Sequence, residues 1–368
     1  MRDPRIKWNV GTDFQLELRR RVDHYFATTG LRRDGGTRLL LKTGVIFAWF
    51  FAGYALLLFG DLPLWAVVLC GASTGLAMGG LGMAVQHDGG HRAFGRSARL
   101  NRFAAGVLDF LGASSHVWHV KHGVLHHTYP NVEGSDDDIA LQPLARVAPG
   151  QRRRAIHRFQ HLYLWAFYGF LGLKWWLIDD FVQLARGRIG NHPLARPRGA
   201  QLGLFIAGKL SHLLWAIVVP LAIVGLVPTL VFYVTAQLVT GWTISVTFQL
   251  AHCVEEAEFV DPSRSAETIE RDFAAHQIAT TVDFARSSRF LSWYLGGLNF
   301  QVVHHLFPRI SHVHYPALSP IVERTCADFG IRYNVSPSFL AALRSHYRWL
   351  RRMGHEEAPT AALVLQRS

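Results

Sequence analysis

Cysteine is almost absent from this chain: Cys70, Cys253 and Cys326 are the only three in 368 residues. They are isolated, with no CxxC pair and no even-numbered framework, so neither a disulfide scaffold nor thiolate metal ligation is indicated. Acidic residues are also in deficit, 26 Asp and Glu against 38 Lys and Arg, which gives a formal charge of +12 and a pI near 10.0. That balance can mark a nucleic-acid binder. Here the basic residues instead avoid four long apolar stretches and crowd the segments between them, which argues against nucleic acid. The pattern fits the anionic headgroups on one face of a membrane, which attract each basic residue by about 1 kcal/mol. Repeats and low-complexity tracts are missing too. The Met-Arg-Asp-Pro start has no signal-peptide pattern, so the first apolar stretch is expected to act as its own insertion signal.

The four stretches are Leu39–Phe59, Leu62–Val85, Leu202–Val224 and Pro228–Leu250. Each runs for about 20 residues or more, enough as a helix to cross a hydrocarbon core of about 30 Å. Lys42 sits near the end of the first, where its stem can snorkel, while Lys209 and His212 fall inside the third. Of the Lys and Arg residues, nine lie in 1–38, fifteen in 87–201 and twelve in 252–368. The links around Asp61-Leu62-Pro63 and Gly225-Leu226-Val227-Pro228 carry none. Positive residues stay in the cytoplasm, so both termini and the long middle segment are expected on that side.

The expected fold is an all-α integral membrane protein. Four transmembrane helices form two hairpins, and a cytosolic helical cap holds a dinuclear metal site. Residues 1–38 form a cytosolic N-terminal segment, and 39–253 with 254–340 form one membrane domain whose cap comprises 86–201 and 251–340. Residues 341–368 form a tail, its end from Gly354 unstructured. Leu100–Leu111 and Tyr163–Leu184 read as interfacial rather than spanning helices, the second with Trp165, Trp175 and Trp176 beside Lys174, Asp179 and Asp180. Arg186–Gly199 reads as a loop.

The site is announced by histidine. His87 and His91, then His122, His126 and His127, then Gln301 with His304 and His305 form three clusters just beyond apolar stretches or within the cap, and His252 closes the fourth stretch. Four ligands fill a tetrahedral zinc site; this many imidazoles suit two metals with about four nitrogens each. Spacing of four places His87 with His91, and His122 with His126, on one helix face, while His127 is turned about 100° and can address a second metal. Asp88 inside the first box, Asp136, Asp137 and Asp138 about ten residues beyond the second, and more weakly Glu255 and Glu256 just past His252, are candidate partners for the outer N–H groups of ligating histidines, the alternative for the acidic run being a solvated loop. His116, His119, His157 and His161 are expected to be structural or solvated. Trp118, Tyr129, Trp293, Tyr294, Phe300 and Phe307 flank the clusters as candidate lining for an apolar channel, with Gly296 and Gly297 permitting close backbone approach.

The boxes HDGGH, HGVLHH and QVVHH, their order and their placement resemble the membrane-bound fatty acid desaturases, over about Leu39 to Pro337. Glutamine at the head of the third box is similar to the front-end acyl desaturase branch. The second box is HxxxHH where many front-end members have HxxHH, a spacing that occurs in related acyl desaturases. Several properties are implied by the resemblance. A di-iron centre of His87, His91, His122, His126, His127, His252, Gln301, His304 and His305 would activate O2 and take two hydrogens from an acyl-CoA or acyl-lipid. Asp136 and Asp138 would match a pattern that follows the second box in relatives. No His-Pro-Gly-Gly motif of a fused haem carrier occurs, so electrons are expected from a separate ferredoxin, rubredoxin or cytochrome b type carrier with its reductase.

Abstracting hydrogen from an unactivated methylene needs an oxidant stronger than any side chain, so a redox metal is required and zinc is unsuitable. The donor set by itself suits iron, copper or zinc, and iron rests on the resemblance. A hydroxylase, ketolase or alkane monooxygenase on the same scaffold is the alternative chemistry. A membrane metal carrier is disfavoured, because it would place ligands at mid-bilayer, where only His212 lies. A bacterial inner membrane is the expected location.

Overall fold

The computed structural model describes residues 6–264 and 269–356. Four helices in it are long and apolar enough to cross a membrane: Gly36–Phe59, Leu64–Gly90, Ala200–Val224 and Leu226–His252. They correspond to the four expected spans, extended by a few residues at each of the four cap-side ends, where the helices run on into the cap. The protein is an all-α integral membrane protein, and its few strands are short two-stranded pairs.

The spans are not equivalent. Spans two and four are each 56% buried in their most apolar window, against 28% for span one and 17% for span three. The inner pair therefore sits back to back, and its seam is written in glycine. A Cβ on Gly71 would lie 2.9 Å from the carbonyl oxygen of Phe232, and one on Gly75 only 2.5 Å from that of Ala236. Glycine lets the two backbones touch, which is how helices associate where no hydrophobic effect drives them together. Thr240 Oγ1 donates across this seam to the Gly75 carbonyl at 2.9 Å. The inner pair carries the first histidine box and His252 at the same end.

Both N-terminal boxes are entered through wide helical turns. Leu81–Gln86 is π-helical and leads directly into His87, and His119–His126 is π-helical through the second box. Such turns shift the register of everything beyond them and cluster at functional sites. Gly296, at φ +61°, approaches span two so closely that a Cβ would stand 2.2 Å from the Met83 carbonyl oxygen. This contact brings the segment before the third box against the first.

Polar residues inside span three are explained by neighbours. Lys209 Nζ donates to the Gly112 carbonyl at 2.7 Å and pairs with Asp180 at 2.6 Å. His212 Nε2 lies 3.2 Å from the Tyr233 hydroxyl. The helix Ala98–Phe110 and the broken helical run from Gln160 to Arg186 contain the two segments expected at the interface, with Leu162, Phe167, Phe170, Leu177 and Ile178 exposed. The segment expected as a loop after Arg186 contains a small antiparallel hairpin, Arg188–Ile189 with His192–Pro193, because Gly190 at φ +53° closes a tight turn.

The N-terminal segment joins the cap. Its strand Ile6–Asn9 pairs in parallel with Ile269–Asp272, and Phe14, Leu18, Val22 and Phe26 of the helix Asp13–Thr29 pack with Tyr315, Leu318 and Val322. The helix Phe339–His355 continues ordered structure past Gly354, where an unstructured end was expected; Trp349, Leu350 and Met353 bury its inner face. The rest of that expected tail, 357–368, lies outside the described residues. All three cysteines are free and buried.

Candidate metal centre

All nine residues singled out in the sequence converge and are buried. Ligand atoms of His87, His91, His122 and His304 lie within 4.8 Å of one another, and so do those of His126, His252 and His305. His127 joins His304 and His305 in a third group and thus stands between the first two. Gln301 Nε2 is 3.0 Å from His252 Nε2, beside the second set. Two sets of donors joined through His127 is the arrangement expected of a dinuclear site.

The outer nitrogens are held one by one. His126 Nδ1 is 3.0 Å from Asp136 Oδ2, and His122 Nδ1 is 3.2 Å from Asp138 Oδ2. His305 Nδ1 donates to Gln277 Oε1 at 2.9 Å, and His252 Nδ1 to the Thr280 carbonyl at 3.2 Å. His304 Nδ1 is 3.1 Å from the Tyr315 hydroxyl. For His126, His122, His305 and His252 the Nδ1 partner is an acceptor oxygen, which fixes the proton on Nδ1 and leaves Nε2 as the lone-pair nitrogen, a tautomer assignment made from these partners; the Tyr315 hydroxyl can donate to His304 or accept from it. His91 Nε2, His126 Nε2, His127 Nδ1 and His305 Nε2 are buried with no protein partner. An unsatisfied buried nitrogen costs about 1–3 kcal/mol. His91, His126 and His305 each belong to a donor group whose ligand atoms lie within 4.8 Å of one another, so a bound cation would satisfy their unpartnered Nε2 atoms, and the residues present fit a metal.

Electrostatics keep most of these rings neutral and ready to ligate. Burial, reinforced by neighbouring imidazoles, holds His127, His304 and His305 well below the usual histidine range. Burial also lowers His122, with Asp138 opposing it. Burial pulls His126 down as well, but the charge and hydrogen bond of Asp136 outweigh it and raise this ring. Desolvation raises the partly buried Asp138, yet Lys121 and His122 hold it far below the ordinary carboxylate range.

Loops around the site are positioned by buried polar residues. Asn131, in the left-handed region at φ +55°, donates its backbone N–H to Asp136 at 2.9 Å and its side-chain amide to the carbonyls of His252 and Glu258, both at 2.9 Å. It ties the second box to the end of span four. The third-box helix Gln301–Leu306 starts with Val302 N–H donating to Asp283 Oδ1 at 2.9 Å, and burial pushes the Asp283 carboxyl up to about 6.

Asp88 is placed differently from Asp136 and Asp138. Its carboxylate accepts from Ser311 Oγ at 2.6 Å and faces His312 Nδ1 at 3.0 Å; His312 Nε2 in turn meets Lys42 Nζ at 2.8 Å. It braces the first box against span one and the segment after the third box. Of the six flanking aromatics, Trp118 makes ring contact with box histidines, stacking on His122 at 4.8 Å. Phe300 and Phe307 pack in the cap core, and the Tyr294 hydroxyl donates to the Leu76 carbonyl. Phe248, not singled out from sequence, stacks on His252 at 4.7 Å. His116 and His157 bond to the carbonyls of Ala195 and Pro143, away from the centre, in keeping with structural roles.

Gln277, Thr280 and Tyr315 were likewise not legible as site residues. Gln277 is the most informative of them, since it also donates to the His127 carbonyl at 3.2 Å. Gln277→Leu is expected to lower metal affinity or turnover by about 10–100-fold with the fold retained, because the outer N–H of His305 loses its acceptor. Gln277→Glu, which keeps an acceptor, should recover most of it; metal content per chain alongside turnover checks both.

Fold and site together define a membrane protein with four apolar helices long enough to span and a buried histidine cluster that fits a metal. The model of the family described as fatty acid desaturase matches residues 62–337, and the chain belongs to that family. It is a fatty acid desaturase, an oxidoreductase acting on fatty acyl chains. The chain is 36% identical over 352 residues to an sn-1 linoleoyl-lipid 6-desaturase of Synechocystis sp., covering 95% of this chain and 98% of that one. It is 33% identical over 354 residues to a protein of the same name from Arthrospira platensis, covering 95% of each. It is 36% identical over 350 residues to an acyl-lipid (8-3)-desaturase of Physcomitrium patens, covering 94% of this chain and 72% of that one.

Proposed function

We propose that the protein inserts a double bond into an acyl chain carried on a membrane lipid, using O2 and two iron ions. The observation that carries this reading is the pair of donor sets joined through His127, with buried imidazole nitrogens that have no protein partner, at the end of the inner helix pair. His87, His91, His122 and His304 would hold one iron. His126, His252 and His305 would hold the other, with His127 between them and the Gln301 amide beside His252, where its oxygen is available as a ligand once the amide is turned over. The two hairpins and the cap would then form one catalytic unit.

The irons would supply the oxidising power that breaks unactivated C–H bonds. Reduction of O2 to two waters takes four electrons; two come from the acyl chain, leaving two for a separate ferredoxin, rubredoxin or cytochrome b type carrier. What the chain itself does is hold and shield. Asp136, Asp138, Gln277, Thr280 and Tyr315 fix ring orientation, while Trp118 and Phe248 cover two sides of the cluster with apolar surface and keep water from it.

An acyl-lipid is favoured as substrate because the full-length relatives carry that chemistry in their names and align over 95% of this chain. The absence of Lys and Arg from the links between paired spans supports a cytoplasmic active site, and a bacterial inner membrane suits the cyanobacterial similarity. The test is metal analysis of the purified protein with oxygen uptake in the presence of a reduced carrier and lipid. About two irons per chain are expected, with uptake abolished by chelation and restored by ferrous iron. Zinc-filled protein that turns over without iron would refute the assignment.

A further inference from the structure

Away from the metal centre, the outer face of span four and the last helix enclose an open groove of about 450 Å³ lined by Trp165, Trp242, Leu343, Arg344, Tyr347 and Arg348. Four of its six lining residues are aromatic or aliphatic, and the two cations stand together one turn apart. Its depth is set by span four. That helix has 27 residues, about 40 Å, so its last seven or so outrun a hydrocarbon core of about 30 Å. Trp242, 42% exposed, then lies close to the boundary, where tryptophan is favoured.

The last helix, Phe339–His355, is built to lie along that boundary. Ala342, Ser345, His346, Trp349 and Leu350 face inward, whereas Leu340, Arg344, Tyr347, Arg348 and Arg351 face outward. Arg348 shares its charge with Glu255 at 2.6 Å, but among the described residues no carboxylate is paired with Arg344. An unneutralised guanidinium above an aromatic, lipid-facing slot offers bidentate hydrogen bonds to an anion whose tails are apolar.

We infer that this groove binds the phosphate headgroup of an anionic glycerophospholipid, with Arg344 and Arg348 on the phosphate and the upper acyl chains against Trp165, Trp242 and Leu343. A soluble acidic protein fits less well, since Trp165, Trp242 and Leu343 make half of the lining apolar. The floor connects to the catalytic machinery. Trp165 meets the His346 ring at 5.4 Å, and His346 Nδ1 donates at 2.7 Å to the carbonyl of Cys253, the neighbour of His252. A lipid seated here therefore braces the end of span four, and the inference stands whether or not the desaturation reading does.

The three native cysteines are buried, so a fluorophore on Leu340→Cys, one turn before Arg344 and exposed, reports on the groove selectively. Quenching is measured in phosphatidylcholine vesicles doped with brominated phosphatidylglycerol or brominated phosphatidylcholine. The half-quenching mole fraction is expected to be at least fivefold lower for the anionic lipid, about fivefold being the effect of one basic residue at an anionic surface. Arg344→Gln should remove about that factor, Arg344→Lys should keep most of it, and Arg332→Gln, elsewhere on the cap, should change nothing; circular dichroism verifies the fold of each. Equal values for the two lipids, or an Arg344→Gln result like the parent's, would overturn the inference. Equal values with quenching relieved by an acidic soluble carrier would assign the groove to a protein instead.

Discussion

Replacing His304 and His305 together by alanine is expected to bring product below detection and to strip metal from the protein. His304 belongs to the first donor set and His305 to the second, and both share the third group with His127, so the double substitution removes a nitrogen from each proposed iron. Loss of a single outer-shell partner costs about 10–100-fold, and the loss of ligands from both sets exceeds that. Global unfolding is a poor alternative explanation. The third-box helix is held at its start by Asp283 on Val302 N–H, and its apolar residues Val302 and Val303 remain packed in the cap core. Metal analysis with circular dichroism on the same preparation separates the outcomes: near-native helicity with little iron is expected, and retention of both irons would contradict the ligand assignment.

The second large effect is expected at Asp136, which touches no substrate. Its carboxylate accepts from His126 Nδ1, from Asn131 N–H and from Asp138 N–H, all within 3.0 Å. Asp136→Ala leaves two buried donors and one part-buried donor without this acceptor, at about 1–3 kcal/mol for each buried one. It also frees His126 to rotate and removes the anchor of Asn131, through which the second box is tied to span four. The expected result is a thermal midpoint lowered by several degrees together with a 10–100-fold loss of iron affinity. Asp136→Asn, which keeps one acceptor and the volume, should fall between. A variant with normal iron content and a normal midpoint would show that this carboxylate is incidental.

These effects also show what the sequence could and could not display. The ligands were legible because their spacing is local: His87 with His91 and His122 with His126 are one helical turn apart, and hydropathy alone located the spans they follow. The acidic run Asp136-Asp137-Asp138 was legible by proximity, ten or so residues beyond the second box, and the family resemblance singled out Asp136 and Asp138 within it. Gln277, Thr280 and Tyr315 were not, because each meets its histidine through tertiary packing and nothing in its own neighbourhood distinguishes it. Asp88 shows the limit of proximity: though inside the first box, its carboxylate turns to Ser311 and His312 and works as a brace. The inner pairing of spans two and four had a signal in Gly71, Gly75 and Gly79, four apart, which hydropathy does not weigh. The π-helical turns before His87 and through the second box have no local signature, since they arise from how the inner helices meet the cap.

The central claim, desaturation of a lipid-borne acyl chain at these histidines, is tested most directly by the acyl groups of a host's membrane lipids. Gas chromatography with mass spectrometry would compare cells expressing the protein, a carrier and its reductase with cells expressing the His304→Ala, His305→Ala variant, double bonds being located by derivatisation. The expected result is a new acyl species with one additional double bond, found in the lipid fraction and absent with the variant. A hydroxylated or ketone product, or an unchanged profile despite a functioning electron supply, would contradict it.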